Sequence, residues 1–352
     1  MPRPMATQSV LVDMIAIDGS YGSGGGQIIR TAIGLSALTG KPCRITGIRA
    51  GRPNPGLQAQ HLESIKAVAQ LCNAKVDNLN IRSKEILFSP GNLEHKPLTI
   101  DIGTAGAITL VLQSLLIPAV HADKKLCFTI KGGTHVKWSP SYDFFENIFC
   151  RYLSIMGIEV KPEITGYGFY PRGGGSISVE VNPGKIRPIC LTERGGYLET
   201  GLFSIASTDL KPQKVAERQS DSAGKVLSTA RRAQKYVDSL STGSSVHMDS
   251  HYENCILGAG CLGERGMQAE KVGESCALLL KKQADSGACL DEWMADQILP
   301  YMALATPSAV SVAAVTDHVR TNIWVIEKFL PVEFSIDENS TPKKISCRSK
   351  QK

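Results

Sequence analysis

One arrangement recurs three times along this chain: a helix, a short strand, a polar loop and a second helix. It occupies residues 27–38, 43–48, 49–56 and 60–71 first, then 105–120, 126–130, 131–140 and 142–156. The third occurrence takes 291–305, 309–314, 315–318 and 321–330. Strand-like pieces with turn residues follow each set, at 75–90, 158–181 and 331–347. The sets share hydrophobic period rather than residues, so the repeat is one of pattern. Such alternation predicts a layered α/β fold of three repeated βαβα-type units, with helices packed on sheets. If the units fold alike, their three loops sit at equivalent ends. They can then converge on one site, because function concentrates in loops held by a rigid scaffold.

Residues 185–287 break this rhythm. They carry their own strands at 197–207 and 245–258 and a charged helix over 214–240. The turns Asn182-Pro183-Gly184 and Asp285-Ser286-Gly287 bound the stretch, which reads as an inserted smaller α/β domain. The catalytic body is then 14–184 with 288–340, between a frayed tail at 1–13 and a basic, solvated tail at 341–352. The formal net charge of +6 permits an anionic partner without demanding one.

Ten cysteines lie scattered with no C-x-x-C pair, which argues for reduced thiols and a cytoplasmic location rather than a zinc ribbon or disulfide scaffold. His247 and His251 have helical metal-ligand spacing, but no acidic partner completes a known pattern. The start of the chain has no signal-peptide shape. The uncharged run 102–122 contains Thr104, Thr109, Gln113, Ser114, Pro118 and His121, so it reads as a buried helix and no membrane partner is expected.

Chemistry first shows in the glycine-rich loop. Residues 18–30 read Asp-Gly-Ser-Tyr-Gly-Ser-Gly-Gly-Gly-Gln-Ile-Ile-Arg, between a strand-like lead and a helix. Bare N–H groups and a helix N-terminus suit phosphate, and a tight structural turn would look the same. The spacing matches neither common nucleotide motif, since Gln27 stands where G-x-G-x-x-G needs its last Gly.

Four further clusters each admit two readings. Arg49 and Arg52, with Arg30, present guanidinium forks that bind phosphate bidentately, or else make surface salt bridges. Gln113, in the apolar helix opened by Gly103-Thr104-Ala105-Gly106, is a core amide or a ligand contact. Trp293-Met294-Ala295-Asp296-Gln297 is an amphipathic helix or a nucleoside pocket, with the indole stacking the base and the polar groups bonding its edge or the sugar. His318, between a strand and a helix, is structural or else a nucleophile or general base.

Taken together these segments resemble the RNA 3′-terminal phosphate cyclases. The resemblance runs from about Ile15 to Ile336 in unbroken order. It rests on the glycine-rich loop through Arg30, on Ile48-Arg-Ala-Gly-Arg-Pro-Asn-Pro-Gly-Leu57, on Gln60-His61-Leu62 and on Thr109-Leu-Val-Leu-Gln113. Gly168-Phe-Tyr-Pro-Arg-Gly-Gly-Gly175, Leu262-Gly-Glu-Arg-Gly266, Met294-Ala-Asp-Gln297 and His318-x-x-Thr-Asn-Ile323 complete it.

The resemblance implies three α/β repeats related to those of enolpyruvyl transferases, plus a small inserted domain. It also implies an ATP- and Mg²⁺-dependent enzyme whose substrate is RNA with a 3′-terminal phosphate. His318 would attack the α-phosphorus of ATP and carry AMP; AMP would pass to the 3′-phosphate, and the 2′-OH would close a 2′,3′-cyclic phosphate. Gln113, Pro140 and Trp293 to Gln297 (Trp293, Met294, Ala295, Asp296, Gln297) would form the adenylate pocket. Arg30, Arg49, Arg52, Gln60 and His61 would hold phosphates. Trp293 stands where the family usually has tyrosine, which keeps a stacking face. Ser23 stands where the family commonly has a glutamate associated with metal and triphosphate, and serine is a poor Mg²⁺ ligand. Two alternatives remain at this point: a noncatalytic cyclase-like RNA-binding factor in ribosomal RNA processing, and an enolpyruvyl-transferase-like enzyme.

Overall fold

The computed structural model describes residues 14–22 and 24–350. The expected tail at 1–13 and Ser23 lie outside the described residues.

The first unit runs β1 (Ile15–Asp18), α1 (Gly26–Thr39), β2 (Cys43–Thr46), α2 (Ala59–Leu71), β3 (Lys75–Asp77) and β4 (Ile86–Ser89). The second runs β5 (Leu98–Asp101), α3 (Ile108–Ala119) and β6 (Leu126–Gly132). It continues through α4 (Tyr142–Phe144), a π-helical turn (Phe145–Phe149), α5 (Cys150–Ile155), β7 (Glu159–Gly166) and β8 (Gly175–Asn182). Strand β9 (Cys190–Leu191) follows. Next come β10 (Tyr197–Ser207), α6 (Val215–Val226), β11 (Arg231–Val237), β12 (Ser244–Tyr252), β13 (Ile256–Leu262) and α7 (Ala269–Asp285). The chain then forms α8 (Met294–Gln297), α9 (Leu299–Leu304), β14 (Ser308–Val312), α10 (Asp317–Phe329), β15 (Val332–Asp337) and β16 (Lys343–Ser349).

Three sheets share one topology: β1-β2-β4-β3, β5-β6-β8-β7 and β9-β14-β16-β15. In each, the first pair is parallel and the other two pairings are antiparallel. Each unit thus adds a leading strand to the pattern read from the sequence. In the third unit that strand is the two-residue β9, separated from β14 by the whole of β10 to α9. The fourth sheet, β11-β10-β12-β13, carries α6 and α7. It has its own apolar cluster, which includes Leu202, Val246, Met248, Leu257, Val272 and Leu280.

Helix α3 is buried around nearly its whole circumference, between α1, α2 and β6. That burial accounts for its largely apolar sequence. No helix among the described residues is long and apolar enough to cross a membrane.

Several expected boundaries move, each for a local reason. Helix α3 starts at Ile108 rather than 105, because the backbone at Gly106 and Ala107 pairs with Gly133 beside β6. The helix expected over 291–305 is two short helices, with Pro300 in the first turn of the second. The charged helix expected over 214–240 ends at Val226, and Arg231–Val237 instead pairs parallel with β10. The basic tail expected to fray from 341 onward forms β16, an inner strand with Ile345 and Cys347 buried. Its alternation of Lys and Arg with apolar residues is the two-residue period of a half-buried strand.

His247 and His251 lie on β12, not on a helix, with Asp249 between them. All ten cysteines are free thiols.

Candidate active site

The glycine-rich loop leaves β1 and crosses to α10. Its backbone is left-handed at Gly22 and Gly24, both at φ +53. A Cβ on Gly22 would lie 2.4 Å from Thr321 Oγ1, so only glycine allows this approach. The Tyr21 ring stacks on Trp324 with centroids 4.2 Å apart. Helix α1 then begins behind Gly25, an extended N-cap with no side-chain capping bond.

Polar side chains inside α1 tie it to the third unit. Gln27 Nε2 donates to Asp296 Oδ2 at 2.7 Å and to the His318 carbonyl at 3.2 Å. One turn on, Thr31 Oγ1 donates to Asn322 Oδ1, and Asn322 Nδ2 donates to the Asp296 carbonyl, both at 2.8 Å. Helices α1, α8 and α10 are locked by this buried set, where each unmade bond would leave a costly orphan.

His318 sits within the first turn of α10 rather than in the loop before it. Thr316 caps the helix, its Oγ1 accepting from the Val319 N–H at 3.2 Å, so α10 begins at Asp317. The imidazole is half exposed, with Nδ1 3.8 Å from Asp296 Oδ2. Its other ring nitrogen is therefore the one turned away from Asp296.

The expected phosphate ligands gather at the start of α1 and α2. Burial draws the Arg30 guanidinium down to about 10, against the pull of the Asp296 carboxylate, so it remains a cation at neutral pH. His61 Nδ1 accepts the Gln58 N–H at 3.1 Å, completing a capping box for α2. Burial, then the charges of Arg30 and Arg49, hold the imidazole down to about 3. It is thus neutral, with its proton on Nε2. A Cβ on Gly26 would lie 2.2 Å from that nitrogen and 3.1 Å from Arg30 Nη1, so the bare backbone brings the two together.

Arg49 has left-handed backbone at φ +55, and its Nε donates to the Asn54 carbonyl at 3.3 Å. Burial and then the charge of Arg52 lower its pKa. Arg52 is exposed at the same loop. Gln60 Nε2 is buried without a protein partner, a donor that a phosphate oxygen would satisfy.

The expected adenylate residues meet only in part. Gln113 Nε2 donates to Gln297 Oε1, and Gln297 Nε2 to the Trp293 carbonyl, each at 2.8 Å. The Pro140 carbonyl accepts from Thr109 Oγ1, one turn before Gln113, at 2.8 Å. Met294 and Ala295, however, are fully buried in the main core, because α8 turns that face inward. Trp293 is half-buried at the seam between the main core and that of the fourth sheet.

A cavity of about 30 Å³ lies among Gln27, Arg30, Gln113, Asp296, Gln297 and Tyr301. It holds a water or two and not a nucleotide. Gln27 Oε1 and Tyr301 Oη are buried on its wall without protein partners. The much larger groove of about 790 Å³ between α5, β9 and the β12–β13 turn contains none of the expected site residues.

Among the described residues no group of three or more His, Cys, Asp or Glu could hold a metal ion. The Mg²⁺ implied by the resemblance therefore has no ligand cluster there.

Residue-by-residue reading of the sequence missed Gln27, Thr31 and Asn322 as a set. Their one local signal is polar residues four apart on the mostly apolar α1, and Asn four residues after His318 on α10. Their partners are about 290 residues away in the chain, so nothing local pairs them.

Comparison with known proteins matches residues 21–336 to the family model for RNA 3′-terminal phosphate cyclase. The RNA 3′-terminal phosphate cyclase of Methanopyrus kandleri is 41% identical over 337 residues, covering 92% of this chain and 96% of that protein. The cyclase of Pyrococcus furiosus is 43% identical, covering 92% and 95%. That of Methanococcoides burtonii is 41% identical, covering 95% and 100%. With this site geometry and these similarities along nearly its whole length, the chain belongs to the RNA 3′-terminal phosphate cyclase family.

Proposed function

We propose that this protein uses ATP to convert an RNA 3′-terminal phosphate into a 2′,3′-cyclic phosphate, with His318 as the covalent carrier of AMP. The observation that supports this most is the junction of the glycine-rich loop with the His318 helix through Gln27 and Asp296. It sets the helix that carries Arg30 against the helix that carries the accessible His318 imidazole.

Asp296 near Nδ1 favours the tautomer with its proton on that nitrogen, leaving the lone pair on Nε2. Nε2 attacks the α-phosphorus, a P–N bond forms, and the bond to the β-phosphate oxygen breaks to release pyrophosphate. An oxygen of the RNA 3′-phosphate then attacks the same phosphorus and displaces the imidazole, giving RNA(3′)pp(5′)A. The 2′-OH finally attacks the 3′-phosphorus, loses its proton and expels AMP. Adenylylation replaces a poor leaving group by AMP, and the phosphoramidate divides a hard displacement into easier ones. Arg30, Arg49, Arg52 and the Nε2–H of His61 would hold the phosphates, with Gln60 adding a donor. Trp293, Asp296, Gln297, Gln113 and Pro140 would border the adenosine. Mg²⁺ would enter on the nucleotide, held by phosphate oxygens and water.

In the same reading, the catalytic body expected over 14–184 and 288–340 also takes in β9 and β16, which pair in its third sheet, and the fourth sheet with α6 and α7 is the inserted domain. The test is product analysis: a 3′-phosphorylated oligoribonucleotide incubated with ATP should acquire a phosphatase-resistant 2′,3′-cyclic end, with AMP and pyrophosphate released. A phosphate that stays phosphatase-sensitive would leave the RNA-binding-factor reading in its place.

A further inference from the structure

Two segments that carry the family resemblance have no part in the site above: residues 168–175 and 262–266. Both flank the loop 131–140. His135 forms a β-bridge with Phe169, and Lys137 Nζ pairs with Glu264 Oε2 at 2.8 Å. On this loop Trp138 is 94% exposed, with left-handed backbone at φ +62. A bulky side chain avoids that conformation, and an indole in water gains nothing for the fold. On the neighbouring loop Tyr170 is 75% exposed.

Apart from Glu264, which neutralises Lys137, the charges on these two loops are positive. Residues 131–140 and 167–175 contain Lys131, Lys137 and Arg172, all exposed, and no Asp or Glu. Arg172 also crosses to the fourth sheet, donating to the Leu240 carbonyl at 3.3 Å, and Lys235 Nζ lies 5.1 Å from the centre of the Tyr167 ring. Two residues on, the same loop meets the proposed adenosine border. Pro140 is bonded to Thr109, and one turn later Gln113 meets Gln297.

Exposed rings interleaved with cations are how proteins hold single strands without reading sequence. Resting on the function proposed above, we infer that Trp138 and Tyr170 are stacking platforms for unpaired RNA nucleotides upstream of the 3′-terminal phosphate. The track runs over the seam between the second unit and the fourth sheet. Bases stack on the two rings, and Lys131, Arg172 and Lys235 follow the phosphates. Its preference is for single strands, since a duplex offers no free base face.

The test uses a 5′-fluorescein decaribonucleotide ending in a 2′-deoxy 3′-phosphate, which cannot cyclise, and reads anisotropy without ATP. Trp138→Ala should weaken binding about 5- to 100-fold, and Tyr170→Ala less. Trp138→Phe should restore most of the affinity. Adenylylation with ATP alone should stay at the wild-type rate in all three. Equal affinity of Trp138→Ala and wild type overturns the inference, as does absence of binding by the wild type. Loss of adenylylation in Trp138→Ala overturns it too, by assigning the indole to the nucleotide pocket. A wild type that fails to cyclise RNA yet shows the ring-dependent affinity would retire the proposed reaction and leave the track standing.

Discussion

The two sides of the site are held to different degrees. On the anion side, Arg30 and His61 are packed against Gly26, and His61 is also locked into the cap of α2. On the other side, the His318 ring stands half in solvent and approaches Asp296 only to 3.8 Å. The difference fits the two duties proposed for these groups. Groups that stabilise developing charge act best when fixed beforehand, with no reorganisation during reaction. A nucleophile that takes up AMP from one substrate and delivers it to another must stay accessible to both.

Four substitutions or conditions probe this contrast. The largest effect belongs to the exposed side: His318→Ala should lower cyclisation on the order of 10³-fold or more. Its melting temperature should match wild type, because the ring makes little packing contact; a variant that unfolds would show the imidazole to be structural. Next, Arg30→Gln should cut kcat/KM for ATP by about 30- to 150-fold, from the loss of ~2–3 kcal/mol of charge-assisted hydrogen bonding. Initial rates of pyrophosphate release read it, and an unchanged kcat/KM removes Arg30 from the anion site.

Gly26→Ala should cost ~1–3 kcal/mol in urea denaturation, since the new methyl group meets the His61 ring and must displace it. It should also weaken ATP use. If stability and ATP use are both unaffected, the anion side is less tightly packed than described.

The smallest effect is the response to pH. His61 has a folded value of about 3 against an ordinary 6.5. Between these the unfolded chain binds a proton that the folded chain refuses. Stability therefore falls as pH drops below about 6.5, by up to ~1.4 kcal/mol per unit. Urea midpoints at pH 7 and pH 5 should drop further for wild type than for His61→Gln. Equal drops would mean that His61 is not held neutral by its surroundings.

The α/β class and the three segments were legible because helical and strand periods survive in α1, α2, α3 and β6 without reference to distant contacts. The two-residue β9 was not, since nothing so short carries a period and its partner β14 lies more than a hundred residues on. Strand β16 shows an alternation, yet four basic residues between 343 and 350 outweighed it and read as a solvated tail. In the site, His318, Asp296 and the arginines could be singled out by type, and the resemblance supplied their roles. The pairing of Gln27 with Asp296, and of Thr31 with Asn322, exists only once α1 and α10 pack. The core-facing turn of Met294 and Ala295 depends likewise on how α8 docks.

The central claim is that an accessible His318 becomes covalently loaded beside a preassembled anion site. Incubation with ATP labelled at the α-phosphate, followed by acid and alkali treatment, tests it most directly. The account predicts label on the wild-type protein that is acid-labile and alkali-stable, as a phosphoramidate is. That label should be absent from His318→Ala and should move to RNA when a 3′-phosphorylated oligonucleotide is added. Cyclic product formed with no labelled protein, or label that persists in His318→Ala, would contradict it.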